Sequence, residues 1–232
     1  MQMLVTALAA ALGWLLFRRR RRPPRGRSVI VTPAGSTVIS ADEGVKSVQS
    51  ALLTLPESDL ERLWNPVNLE NLGRTYWLFL TRVTLGLIRV VYADNERRIT
   101  LLSPRLTLLR LEAPAYTLEP DHGNIRWRIV DGLLVARSGR NRGWLSLDVR
   151  RQPPETLVAT AMPLGEVRIE VEVANFYPAI SHTLGTLVYE GTQAFVHILV
   201  THAFLRSLAR LELKQSKVGR LHPQPDGGLT IS

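Results

Sequence analysis

The residues best suited by type and spacing to chemistry lie on the C-terminal helical pattern, where a polar line runs between two apolar sectors. Glu190, Gln193, His197 and Thr201 follow one another at helical spacing and therefore share one narrow face. If that face borders a cavity, the His197 imidazole can bind or protonate a ligand, with Glu190 about two turns away. The competing interpretation is a buried polar strip whose members hydrogen-bond to neighbouring elements.

Other kinds of catalytic or metal site find no support in the residue pattern. His197 and His202 lie about 140° apart on a helix, which rules out the i, i+4 spacing of a metal-binding pair. The chain has no cysteine, which excludes thiolate metal sites and cysteine nucleophiles. No serine lies in a Gly-x-Ser-x-Gly turn. We therefore expect a binding protein rather than an enzyme, with no metal, no cofactor and no catalytic residue.

Two groups of arginines are candidates for contact with lipid head groups. One group lies in a glycine-flanked loop at residues 139–143, where Arg140 and Arg142, together with nearby Arg137, can contact lipid phosphates. A solvated hairpin tip is the ordinary alternative for that loop. The other group is an unbroken run formed by Arg18, Arg19, Arg20, Arg21 and Arg22.

The net charge points to a membrane rather than to nucleic acid. It is +9, but seven arginines fall between residues 18 and 27, and subtracting them leaves +2 for the rest of the chain. A nucleic-acid-binding domain would spread its basic residues over the folded surface. We therefore expect membrane lipids among the partners and no nucleic acid.

The stretch in front of the arginines predicts a membrane anchor. Residues 3–17 are fifteen residues without a charge, and Trp14 suits the membrane interface. A helix of this length spans about 22 Å, so local thinning of the ~30 Å hydrocarbon core has to cover the difference. Because the arginines follow the apolar stretch, an uncleaved single-pass anchor in the cell membrane fits, with the domain on the cytoplasmic side. A helix lying in the interface and a cleaved signal peptide are the alternatives.

These patterns divide the chain into four segments. Residues 1–17 are the predicted anchor, and residues 18–27 are an Arg/Pro-rich linker. Residues 28–214 form one α+β domain, and residues 215–232 are a flexible C-terminal tail.

The first part of the domain is predicted to contain one strand and three helices. Residues 28–32 are a β-branched run typical of a strand, and residues 33–37 are predicted as a loop. Ser40 to Glu43 has capping-box spacing and opens a helix that ends at Pro56. The same spacing at residues 58–61 opens a short helix to Trp64, and apolar residues at helical spacing in 69–82 predict a third.

From residue 84 the pattern changes to short runs rich in Val, Ile, Leu and Thr. Strict alternation in residues 125–129 and 167–173 is typical of an antiparallel sheet with one solvated face. Short connections favour a meander of hairpins, and Asp131-Gly132 is the strongest hairpin signal. The predicted strands cover residues 85–92, 98–102, 106–111, 124–130, 133–137, 144–151, 156–162 and 167–174.

Residues 184–213 form the longest helical pattern, and its two apolar sectors indicate burial on two sides. A strand, several helices, a long antiparallel sheet and a long C-terminal helix, in this order, resemble the helix-grip fold of the START and polyketide-cyclase superfamily. The resemblance covers residues 28–213 and concerns element order, because that superfamily has no residue motif to match. It implies a curved sheet that wraps the last helix and leaves an apolar cavity between them. That fold has fewer strands than predicted here, so we expect some runs to be halves of one bent strand.

The predicted function is binding of an apolar or lipid-like ligand between the sheet and the C-terminal helix of a membrane-tethered domain. Two alternatives stay open. One is a structural subunit whose two-sided helix is buried by a protein partner, which a filled core and an exposed apolar patch would favour. The other is a cyclase- or hydrolase-like enzyme that uses His197, which shares with the binding protein the requirement for a pocket lined by the last helix.

Overall fold

The computed structural model describes residues 29–30, 34–152, 163–179, 204, 221–223 and 229–231. The predicted anchor, the linker, the predicted strand at 156–162 and nearly all of the predicted C-terminal helix lie outside these residues. Nine predicted site residues lie outside them as well: Arg18, Arg19, Arg20, Arg21, Arg22, Glu190, Gln193, His197 and Thr201.

The described part of the chain is an α+β domain in which an antiparallel sheet packs against two helices. The strands join in the order β1-β3-β10-β9-β8-β6-β5-β4, which is a meander from β4 to β10 that then continues to β3. This order agrees with the helix-grip-like architecture expected from the sequence. The strands are β1 (Val29–Ile30), β2 (Ala34–Ile39), β3 (Val45–Pro56), β4 (Ile88–Tyr92), β5 (Glu96–Leu101), β6 (Thr107–Glu112), β7 (Ala115–Leu118), β8 (His122–Asp131), β9 (Trp144–Gln152), β10 (Leu164–Phe176), β11 (Leu221–Pro223) and β12 (Leu229–Ile231).

The segment predicted as the first helix is the strand β3, so this prediction was wrong. Its apolar residues fit helical spacing, but inward burial alternates strictly at Ser47, Gln49, Ala51, Leu53 and Leu55. Tertiary pairing decides the outcome, because β10 hydrogen-bonds along one edge of β3 while β1 and β2 take the other. The backbone N–H and C=O groups on both edges of β3 are therefore paired with other strands. A helix at this place would leave the facing groups of those strands unpaired.

The supposed capping box before β3 is the turn of the β2–β3 hairpin. The Ser40 N–H donates to the Gly44 carbonyl at 2.8 Å, and Glu43 adopts a left-handed φ of 65°. The predicted loop at residues 33–37 was also wrong, since most of it belongs to β2.

The two remaining helices lie at the positions predicted from the sequence. The first, α1 (Glu57–Leu63), begins after Pro56 without a side-chain cap, so the capping pattern predicted for it is wrong in detail. The second, α2 (Pro66–Val83), begins at Asn65, whose side chain accepts the Asn68 N–H at 2.9 Å. A Cβ at Gly73 would lie 3.0 Å from Ile125, so this glycine allows α2 to approach β8 closely.

The connection from β8 to β9 shows that the tight hairpin predicted at Asp131-Gly132 was wrong. Residues 131–132 do not form a tight hairpin, because β8 runs through Asp131 and β9 begins only at Trp144. Gly132 has a φ of 141°, and a Cβ there would lie 2.2 Å from the Leu108 carbonyl oxygen, so close approach to β6 requires glycine. The strand predicted at 133–137 is part of this connection, which includes a 3₁₀ turn at Arg137–Gly139.

Strands β6 and β7 both pair with β8, one after the other along its length. They behave as two halves of one strand broken at residues 113–114, but this break does not divide any two of the predicted runs. The β7 half was not predicted. Residue Leu229 of β12 pairs with Tyr116 of β7, so two short strands lie within the segment predicted as a flexible tail.

Phe204 is the one residue of the predicted C-terminal helix that the structure describes. It is helical and fully buried, with its ring edge-on to Tyr76 at 5.4 Å and to Phe79 at 6.4 Å. An apolar residue of the predicted C-terminal helix therefore packs against α2. Among the described helices, neither combines the length and the apolar character that crossing a bilayer requires.

Candidate functional site

A cavity of about 90 Å³ lies between the inner face of the sheet and the two helices. Leucine, isoleucine and valine side chains of β3, β9, β10, α1 and α2 make most of its wall. Trp64 and Asn65, the two residues that connect α1 to α2, border it, and Asn68 lies beside them. The site is therefore an apolar space at the elbow between the helices.

The local sequence explains why space remains at this elbow. Alternation along β3 and β10 turns Leu53, Leu55 and Val167 inward. On β8 the corresponding inward position is Gly123, where a Cβ would already lie 3.3 Å from both Leu69 and Leu118. Because glycine supplies no side chain there, α2 packs against the backbone of β8 and the neighbouring volume stays unfilled.

The size and lining of the cavity decide what it can hold. Engineered apolar cavities of about 150 Å³ bind benzene, so this smaller apolar space accepts a smaller apolar group. Pockets for drug-sized ligands measure about 300–1,000 Å³. The cavity as described therefore fits the end of an acyl chain but not a whole lipid.

A cluster of buried ionisable residues lies farther along α2, toward β4, β5 and β7. Arg97 is only 2% exposed, and Glu70 and Tyr116 are buried as well. The Arg97 guanidinium lies 5.2 Å from the centre of the Tyr92 ring, and Arg74 donates to the Tyr92 hydroxyl at 2.9 Å. The interior thus has a polar region in addition to the apolar cavity.

Burial controls the protonation of this cluster. Burial lowers the pKa of Arg97, while the electrostatic interactions with Tyr116, Tyr92 and Glu70 act to raise it. Burial and the Glu70 carboxylate both raise the pKa of Tyr116 far above its usual value, so its hydroxyl stays protonated. Burial also raises the pKa of Tyr92, although Arg74 opposes it. The two phenols therefore keep their protons at physiological pH.

Sequence reasoning missed this cluster, and it did not predict the cavity at the α1–α2 elbow. The cavity that the sequence predicted against the C-terminal helix falls outside the described residues and stays a prediction. The sequence did contain one indication of the cluster. Arg97 lies two residues before the inward-facing Ile99 on β5 and therefore on the same face of the strand. A charged residue at an inward position of a strand indicates a buried partner.

The predicted lipid-binding arginines that the structure describes lie on the β8–β9 connection. Arg140 is exposed, whereas the Arg142 guanidinium lies 4.3 Å from the centre of the Tyr177 ring and 3.7 Å from the Asp42 carboxylate. The Tyr177 hydroxyl donates to the same carboxylate and this bond, together with the Gly44 N–H, lowers the pKa of Asp42. Arg142 therefore ties the connection to the β2–β3 turn, while a lipid contact of either arginine stays a prediction.

The outer face of the sheet carries a separate polar cluster around Asp148. Its carboxylate accepts hydrogen bonds from Arg150 at 2.7 Å and Asn124 at 3.0 Å and lies 2.7 Å from His122 Nε2. Partial burial raises the pKa of Asp148, but these hydrogen bonds outweigh burial and lower it overall. The cluster bridges β8 and β9 and suits a role in stability.

The chain matches no protein-family model and no curated protein sequence. Human StAR-related lipid transfer protein 5 is similar in structure at 12% identity and a TM-score of 0.42, covering 91% of this chain and 99% of that one. The crystal structure of Ara h 8.0201 is similar at 11% identity and a TM-score of 0.30, covering 80% of this chain and 99% of that one. Likenesses of this size carry no argument about function, so the ligand has to be argued from the cavity.

Proposed function

We propose that this protein is a binding domain for an apolar or lipid-like ligand whose tail occupies the cavity at the α1–α2 elbow. The observation that carries the proposal is a cavity of about 90 Å³ with an almost entirely apolar wall. An apolar group that fills this space removes the apolar wall from water, so its binding stabilises the fold.

The proposal includes a tether formed by residues 1–17, with the domain on the cytoplasmic side of the cell membrane. The uncharged stretch and the arginine run behind it support this part. A tethered binding domain would meet apolar ligands at the bilayer surface, where they are concentrated.

A cavity-filling variant tests the proposal. Leu72 lines the cavity from α2, and Leu72→Phe adds volume to that space, so we expect binding of a short apolar probe such as octanol to be lost or at least ten-fold weaker. Leu80→Phe is the matched control, because Leu80 lies on the same helix away from the cavity wall. Calorimetry of both variants and of the wild-type protein measures the effect. Equal weakening in both variants, or none in Leu72→Phe, would contradict the proposal.

A second candidate function, a structural subunit of an assembly, is favoured by exposed leucines at one end of the sheet. Leu85 and Leu102 lie in neighbouring turns joined by a hydrogen bond from the Leu102 N–H to the Leu87 carbonyl at 2.8 Å. Leu106 follows in the same β5–β6 turn and is also exposed. Sedimentation analysis distinguishes this candidate, since it requires self-association or a co-purifying partner.

A further inference from the structure

Arg151 is a charged residue on the apolar inner face of the sheet, next to the cavity. Along β9 the side chains of Leu145, Leu147 and Val149 are buried, and Arg151 follows with the same parity. Val149 lines the cavity, and the Arg151 side chain is only 20% exposed. An arginine in this position requires an acceptor to compensate for its lost hydration.

The present partners of Arg151 satisfy only part of its guanidinium. Nη1 donates to the Glu61 carboxylate at 2.6 Å, and Glu57 lies 4.0 Å away at the edge of ion-pair distance. Nε is buried and has no hydrogen-bond partner among the described residues. A guanidinium offers a planar fork of donors that fits two carboxylate oxygens, and in this fork Nε lacks an acceptor among the described residues.

Trp64 separates this arginine from the cavity. The Arg151 guanidinium lies 4.6 Å from the centre of the Trp64 ring, and Trp64 also borders the cavity. The indole N–H donates to the Glu119 carbonyl at 2.8 Å, which holds the ring in place. Trp64 therefore lies between an apolar space and a charged group, in the two-residue connection between the helices.

We propose that Arg151 anchors the head group of the cavity's ligand and that this ligand is a monocarboxylate with a short apolar tail. The proposal rests on the function proposed above and adds the chemical class. The tail enters the cavity past Trp64, and the carboxylate accepts hydrogen bonds from Arg151, including the unpaired Nε. Glu61 is 61% exposed and competes for the same guanidinium, so it turns toward water when the ligand binds.

Paired probes test the assignment. Octanoic acid and octanol share an apolar tail and differ in the charge of the head group. We expect the wild-type chain, held in lipid nanodiscs with empty nanodiscs as the blank, to bind octanoate more tightly than octanol. In Arg151→Gln the affinity for octanoate should fall about ten-fold or more, as for loss of a charged hydrogen bond, while octanol binding is unchanged.

Two further variants complete the design. Arg150→Gln is the matched control, because Arg150 is the adjacent arginine on the opposite face, paired with Asp148, and its removal should leave both probes unaffected. Glu61→Gln removes the competing carboxylate and should tighten octanoate binding without changing octanol binding. This variant keeps Arg151 and still tests the proposal if Arg151→Gln does not fold.

The outcomes separate the inference from the function on which it rests. Equal losses of octanoate in Arg150→Gln and Arg151→Gln would overturn the assignment, and so would equal losses of both probes in Arg151→Gln. An unchanged octanoate affinity in Glu61→Gln would overturn it as well. Binding of octanol without any preference for octanoate would leave the cavity proposal standing and reject the head-group site. Binding of neither probe to the wild-type chain would reject the cavity proposal itself.

Discussion

Leu102 shows how single residues hold strained positions in the turns of this sheet. It follows β5 with a φ of 60°, and its N–H donates to the Leu87 carbonyl at 2.8 Å. Leu85, in the neighbouring turn, has a φ of 53°. The left-handed conformation costs a residue with a Cβ roughly 1–2 kcal/mol, and asparagine tolerates it better than leucine. The hydrogen bond and the turn therefore impose a backbone conformation that the leucine side chain disfavours.

Replacing this leucine should stabilise the domain. Because Leu102 is 67% exposed, Leu102→Asn loses little apolar burial, and we expect the melting temperature to rise by about 2–4 °C, equivalent to about 1 kcal/mol. Thermal unfolding followed by circular dichroism measures the change. Leu106→Asn, in the same turn but without a positive φ, is the control and should give no gain. A similar rise in both variants would show that exposure, rather than backbone strain, is responsible.

At the scale of elements, the strands of the sheet are held together by side-chain pairs as well as by the backbone. Asp148 on β9 accepts a hydrogen bond from Asn124 on the neighbouring β8. Its carboxylate also lies 2.7 Å from His122, which is on β8 as well. On β6, Arg110 forms a two-pronged pair with Asp131 of β8. These contacts lie on the solvated side, where surface ion pairs contribute modestly, and the more buried Asp148 should contribute most.

The stability contributed by Asp148 should depend on pH. Its folded-state pKa lies below its ordinary value, so the contribution is present above the unfolded-state pKa and is lost as the pH falls through the folded-state value. Asp148→Asn should therefore cost about 1 kcal/mol at pH 7 and progressively less in acid. Denaturant unfolding at a series of pH values provides the measurement. Glu112→Gln, at an exposed position ending β6, serves as the control, and a pH-independent difference for Asp148→Asn would contradict the argument.

At the scale of the whole molecule, the site combines elements that are far apart in the chain. The cavity wall takes residues from β3 near residue 53, from α2 near residue 70 and from β10 near residue 169. Phe204 adds a contact from the C-terminal region of the chain to the C-terminal half of α2. The cavity wall is therefore complete only when the sheet and both helices have assembled.

The proposed tether makes a prediction at this scale. The full-length protein should sediment with membranes and remain there after a high-salt wash, because burial of an apolar segment is not screened by salt. A chain that begins at Ser28 should stay in the supernatant. Release of the full-length protein by salt would show that the arginines attach it electrostatically and would reject the anchor.

The sequence by itself determined the elements whose patterns are local. The alternation in residues 125–129 and 167–173 predicted the long strands β8 and β10, and apolar residues at helical spacing predicted α2. Each of these patterns has one period that fits a single type of structure. The general α+β class and the meander followed from them.

Only the tertiary structure decided β3, the cavity and the two inward-facing arginines. The apolar residues of β3 fit a helix or a strand, and the choice depends on β10, whose paired residues are more than a hundred positions away. Arg97 is buried and Arg151 is partly buried because of what lies over them, namely the Tyr92 ring in one case and the Trp64 ring in the other. Burial is a property of the assembled fold rather than of a neighbouring stretch of sequence, because distant segments supply both the covering surface and the compensating charge.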